Sequence, residues 1–195
     1  MPKGAYIPMN DILNFEDGWR RDLKVFLFSI TPALIALMII FMMGSGVYLS
    51  LLAVLLNFYF AIGLGWITSP VVGLSTGVHP FWLLVFMVFV ATESSLIVSL
   101  NYDVLEKVPL LGKAIRYTRE KAEGVIEKHE LAQSVSYFTL FWLMFIPIYG
   151  TGPMVMSFVG RILALDWYKV WITISLSALT RYSLIIGIVY YGVFK

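Results

Sequence analysis

Hydrophobic positions along this chain are gathered into long runs rather than alternating with polar ones. The first run extends from Val25 to Met43, the second from Val47 to about Thr68, the third from Phe81 to Leu100 and the last from Val170 to Phe194. A further stretch from Leu131 to Gly160 holds no charged residue. Runs of roughly 20 apolar residues are what a helix needs to cross a bilayer. Gly44-Ser45-Gly46 is a turn between the first two runs, and Pro32 predicts a kink within the first. Two places interrupt the pattern without adding charge. One is Ser69 to Pro80, with Pro70, Gly73, Gly77 and Pro80; the other is Phe145 to Pro153, with Pro147, Gly150, Gly152 and Pro153. Proline lacks the backbone donor and glycine frees the backbone, so neither stretch continues an α-helix. In lipid, backbone groups freed this way must be satisfied by protein or by a wet cavity. Both breaks are therefore expected to be re-entrant, the first near 61–80 and the second over 134–165, with tips at Pro70, Gly73, Pro147 and Pro153.

The polar segments divide the chain. Residues 1–24 predict an interfacial segment, capped by Asn10 or Asp11, with Phe15 and Trp19 on its apolar side. Residues 25–100 form a first membrane half. In 101–131, six bases alternate with six acids, and Arg116 with Glu120 and Arg119 with Glu123 are i,i+4 pairs, which predicts a water-exposed helix. Residues 132–195 form the second half, ending in a span over 167–194 that begins at the interfacial corner Asp166-Trp167-Tyr168-Lys169. Four bases precede Val25 and six lie in 101–131, so the N-terminus and 101–131 are both expected on the cytoplasmic side. Three apolar runs separate them, so one must turn back without crossing.

The halves share a local pattern. Pro70-Val71-Val72-Gly73 matches Pro147-Ile148-Tyr149-Gly150, and Thr92-Glu93-Ser94-Ser95-Leu96-Ile97-Val98 matches Thr180-Arg181-Tyr182-Ser183-Leu184-Ile185-Ile186 at four positions of seven. The parity argument makes such a repeat inverted, a common plan for secondary transporters.

Composition agrees with the pattern. The 195 residues are 59% hydrophobic and 13% charged, with a mean hydropathy of +0.84, against roughly a quarter charged in soluble domains. The expected fold class is all-α, a polytopic integral membrane protein with two re-entrant segments. A net charge of +2 with interspersed signs points to no nucleic-acid partner. The chain has no cysteine and only two histidines, far apart, so no local metal motif or cofactor is expected. No hydrolytic motif is present, and an enzyme is not expected.

Charges within the apolar runs carry the candidate chemistry. Glu93 and Arg181 occupy equivalent places in the repeat, and intramembrane ionisable residues face the protein interior. They either clip the halves together as an ion pair, or Arg181 binds an anionic group while Glu93 carries a proton. Arg161 either snorkels to the headgroups or points into the cavity. Asp166 is either a cap for the last helix or a second proton-coupling group. His79 is a loop histidine or a proton relay. The Gly150-Thr151-Gly152 tip either cradles a phosphate or carboxylate with its amides or serves tight backbone packing.

Lys107-Val108-Pro109-Leu110-Leu111-Gly112-Lys113, the charged helix after it, Ile146-Pro147-Ile148-Tyr149-Gly150-Thr151-Gly152 and the final Ala178-Leu179-Thr180-Arg181 together resemble the small multidrug export protein family, a distant relative of the DedA (VTT) membrane proteins. Tyr149 stands where that family's tip has a second proline, and Gly65-Trp66-Ile67-Thr68 stands where it has Glu-x-Arg. The resemblance covers about residues 65–195. It implies paired re-entrant hairpins and proton-linked transport or lipid translocation, with a polyprenyl phosphate or phospholipid as substrate class.

The combined expectation is a secondary-transporter-like protein of the prokaryotic plasma membrane. It would move an amphipathic or anionic substrate, such as a lipid phosphate, among membrane lipids, alone or as a homo-oligomer. Arg181, Arg161, Gly150, Thr151 and Gly152 would bind substrate; Glu93 and Asp166 would couple protons. The alternative is a non-transporting scaffold or complex subunit that docks a partner through 101–131.

Overall fold

A computed structural model describes residues 9–42, 44–61, 64–106, 130–146, 151–163 and 165–193. Among these residues there are seven α-helices and no strand. They are α1 (Met9–Met42), α2 (Ser45–Phe60), α3 (Gly65–Ser75), α4 (Pro80–Glu106), α5 (Glu130–Phe145), α6 (Pro153–Ile162) and α7 (Trp167–Val193). Three are long and apolar enough to cross a membrane, over Gly18–Met42, Pro80–Tyr102 and Trp167–Gly192. Their outward faces carry large apolar side chains such as Phe28, Met38, Phe41, Trp82 and Ile188. A surface of that kind suits lipid rather than water.

The core lies between α4 and α7. On α7 the buried positions are Val170, Ile174, Ser177, Ala178, Arg181, Tyr182 and Ile186; on α4 they include Leu83, Met87, Val90, Ala91, Ser94 and Ser95. Each set follows the three-and-four spacing of one helix face. Trp171 donates its indole N–H to the Thr92 carbonyl (3.1 Å), whereas Pro80 and Leu84 lie beside Ile186 and Tyr190. Contacts that run in opposite sequence directions make α4 and α7 antiparallel. By the same reasoning α1 is antiparallel to α4, because Ala33 meets Glu93 while Ser29 meets Asn101.

Four shorter helices fill the sides of this pair as two hairpins. In the first, α2 has 16 residues and α3 has 11; in the second, α5 has 16 and α6 has 10. The first hairpin descends along α4 until Tyr59 meets Ser94 (2.7 Å), then returns so that Gly73 packs on Leu83. The second runs parallel to α7 until Met144 reaches Arg181, then returns along α4, with Ser157 meeting Ser95 (2.6 Å) and Arg161 lying over the Tyr102 ring. Each hairpin therefore turns beside the middle of a 27-residue helix, and the two come in from opposite ends of the α4–α7 pair.

Polar side chains clip these helices at close range, as expected where burial of apolar surface from water supplies no drive between helices. Asn57 donates to Thr68 (2.6 Å) and Ser69 (3.0 Å), Ser69 donates to the Val54 carbonyl, and Ser177 donates to the Phe141 carbonyl.

Several expectations are corrected. Pro70 and Gly73 are not tips; both are buried inside α3. The second apolar run does not reach Thr68 as one helix, because α2 ends at Phe60, α3 begins at Gly65, and the Leu64 and Gly65 N–H groups both reach back to the Ala61 carbonyl. A Cβ on Gly65 would collide with the Phe58 and Asn57 backbone carbonyls, so this turn needs a glycine. The Asn57 clips then hold α3 against α2 at the residues just before Pro70. The breakers after Gly73 make a different turn. Gly77 has φ +83°, its N–H reaches the Leu74 carbonyl (3.1 Å), and the Val78 N–H reaches the Gly73 carbonyl (3.0 Å). This is a Schellman closure, after which Pro80 starts α4 at the position where a missing N–H costs least.

The interfacial segment expected over 1–24 is not separate, since α1 continues from Met9 into the apolar run and through Pro32. Residues 101–106 close α4 and 130–131 open α5; the rest of the expected charged helix lies outside the described residues, as do Pro147 and Gly150.

Candidate functional site

Arg181 is the largest side chain that is fully buried, at 1% exposure, halfway along α7. Three elements enclose it. Trp66, second residue of α3, stacks its ring under the guanidinium, whose carbon is 3.4 Å from the ring centroid. The chain between α5 and α6 supplies Thr151: its carbonyl accepts from Arg181 Nη1 at 3.1 Å and its hydroxyl lies 3.5 Å from Nη2. Met144 of α5 brings its sulfur to 3.6 Å from Nη1. Thr151 donates its hydroxyl to the Ile146 carbonyl (3.2 Å), which ties the turn back to α5. Gly152 then caps α6 in an extended conformation (φ −72°, ψ 160°) and Pro153 opens the helix.

No carboxylate forms an ion pair with Arg181 among the described residues, and its Nε has no hydrogen-bond partner there. A guanidinium carries five donors and no acceptor, a donor set whose chemistry matches planar and tetrahedral anions. The stack on Trp66 offsets part of the charge through the ring face.

Glu93 occupies a separate centre. It is 6% exposed, midway along α4, and its Oε1 accepts the Ala33 backbone N–H at 3.2 Å. Ala33 follows Pro32, so the carboxylate meets α1 where proline has disturbed the backbone ladder. Of the two alternatives for Glu93 and Arg181, the ion pair does not form. Glu93 faces α1 and α2, whereas Arg181 faces α3, α5 and the turn before α6. Each buried charge is held by backbone and aromatic groups instead of by the other.

The remaining expected residues do not converge on Arg181. Arg161 sits at the far end of α6, roughly 13 Å along the axis from Gly152 at 1.5 Å per residue. There it donates to the Leu165 carbonyl (2.8 Å) and lies over the Tyr102 ring (5.2 Å). Asp166 is farther still, roughly 22 Å along α7 from Arg181. Its carboxylate pairs with Lys169 at 2.7 Å, its N–H reaches the Tyr137 hydroxyl, and its carbonyl receives the Val170 N–H, the geometry of a residue opening a helix. His79 accepts the Phe81 N–H through Nδ1 (3.3 Å) at the start of α4. Thr151 and Gly152 are at the Arg181 centre; Pro153 anchors them from the first turn of α6. No group of three or more His, Cys, Asp or Glu residues suited to a metal occurs among the described residues.

Sequence reasoning did not single out Trp66, Met144 or Tyr59. Trp66 is the only tryptophan between Trp19 and Trp82, and it directly follows the turn glycine. That is a weak signal, since its partner is 115 positions away. Compared with known proteins, the chain matches no family model, no curated protein and no solved structure.

Proposed function

We propose that this protein is a secondary-transporter-like membrane protein that moves an amphipathic anionic substrate, its head group held at Arg181. The observation that carries the reading is the fully buried guanidinium with no carboxylate partner among the described residues. A permanent charge in the middle of a span costs about 2.5–3.5 kcal/mol to insert, and such residues mark ion or substrate pathways. An anion delivered to Arg181 would supply the missing countercharge, with Thr151 beside it.

In this reading the two short hairpins are re-entrant and inverted. Helices of 10 to 16 residues are shorter than a crossing requires, and both turns lie beside the centres of long helices. Broken helices that meet at mid-depth are where transporters of inverted plan hold their ligands. The resemblance to the DedA-related family points the same way and suggests a lipid phosphate. Glu93 carries the coupled proton from its own cavity. Arg161 and Asp166 serve the mouth rather than the seat.

The test is transport in proteoliposomes. Labelled polyprenyl phosphate should cross with the wild-type protein and fail to cross with Arg181→Met, while Glu93→Gln changes the dependence on the proton gradient. Transport by the Arg181 variant at wild-type rate would overturn the assignment. A partner that co-purifies in fixed ratio with an inactive protein would instead favour the scaffold role.

A further inference from the structure

The cavity that Glu93 lines is distinct from the Arg181 centre. It lies between α1, α2 and α4, and its volume is about 70 Å³. Four aromatic rings contribute to its wall: Tyr48 and Tyr59 from α2, Phe86 and Phe89 from α4. Leu37 of α1 lines it as well while remaining exposed on the outer surface, so one wall gives onto the apolar surroundings. Glu93 Oε1 is engaged by the Ala33 N–H, and Oε2 has no hydrogen-bond partner among the described residues. The Tyr59 hydroxyl is committed to Ser94. A carboxylate more than nine-tenths buried therefore lines an apolar, ring-walled space with one of its oxygens uncommitted among the described residues. A group that carries a positive charge and donates hydrogen bonds suits that oxygen in its ionised form, and an apolar remainder suits the rest of the wall.

We propose that this cavity binds the ammonium head of a small lipophilic amine, with Glu93 as counterion and the aromatic rings as a cage around the cation. Aromatic faces attract ammonium groups, and the attraction is greatest where water is excluded. The volume is roughly half that of the ~150 Å³ apolar cavity that accepts benzene, enough for the ammonium and its first methylenes. The rest of the alkyl chain leaves past Leu37. The inference does not rest on the role of Arg181.

Thermal unfolding of the purified protein in detergent, at fixed ionic strength, tests it with n-hexylammonium against n-hexanol at equal concentrations. The amine should raise the midpoint in a saturable way and the alcohol should not, because a ligand bound only by the folded state stabilises it. Glu93→Gln should abolish the rise. Ala36→Phe, which fills the cavity and keeps the carboxylate, should abolish it too and decides the matter should the Gln variant fail to fold. An equal rise with hexanol, or a rise that survives Ala36→Phe, would overturn the proposal.

Discussion

At the scale of single residues, the centre is built on charges that are buried without each other. A buried ion pair broken at one end is strongly destabilising, but a buried charge already without a countercharge behaves differently. Replacing it with an apolar side chain of similar length removes a desolvation penalty. Arg181→Met should therefore hold or raise the thermal midpoint while transport is lost, a separation that activity alone does not give. Trp66→Ala should do the opposite to the fold, costing about 3–5 kcal/mol for a large buried ring, with thermal unfolding as the readout. Sequence pattern made both charges legible, since a lone Glu93 and a lone Arg181 within apolar runs stand out at once. Their surroundings were not legible. Which face of α4 carries Glu93 follows from how α1 lies against it, and no local spacing encodes that. Trp66 reads as one more apolar residue until α3 is folded beneath α7.

At the scale of elements, the breaks in the sequence were visible but their positions were not. Pro70 drew attention as the strongest breaker, yet α3 runs through it, and the tight turn belongs to Gly65. A proline inside a helix costs about 3 kcal/mol; Asn57, Thr68 and Ser69 cross-brace the helix that carries it. Pro70→Ala should thus leave the fold intact and not lower its thermal midpoint, an outcome opposite to that for a residue shaping a turn. Gly65→Ala should lower the midpoint by an amount in the 1–3 kcal/mol range typical of overpacking, because the obstacle is backbone and has no rotamer to escape into. Gly187→Ala, where nothing lies within 4 Å, serves as the control and should be neutral or gain up to ~1 kcal/mol of helix propensity. Gly65 was the usable signal, hidden because proline outranks glycine in any count of helix breakers.

At the scale of the whole molecule, the described residues form a long first helix, a helical hairpin, a long helix, a second hairpin and a last long helix. The all-helical class and the three long apolar helices follow from hydropathy alone, because segregated runs of that length suit little else. The sense of each hairpin does not, since it depends on contacts between residues as far apart as Ser95 and Ser157. Those two hydroxyls, 2.6 Å apart, provide a test of the arrangement. The sequence has no cysteine, so Ser95→Cys with Ser157→Cys places the only two thiols in the chain. Oxidation should form an intramolecular disulfide joining α4 to α6, detected by mass after proteolysis. If α6 moves during transport, the oxidised protein should be inactive and reduction should restore it.

The indole of Trp66 lies at van der Waals distance from a permanent positive charge. Its emission is therefore tuned by whatever shares that charge, and an anion arriving at Arg181 alters the field across the ring. With the other five tryptophans replaced by phenylalanine, the protein would carry its own optical gauge of occupancy, readable without any attached dye.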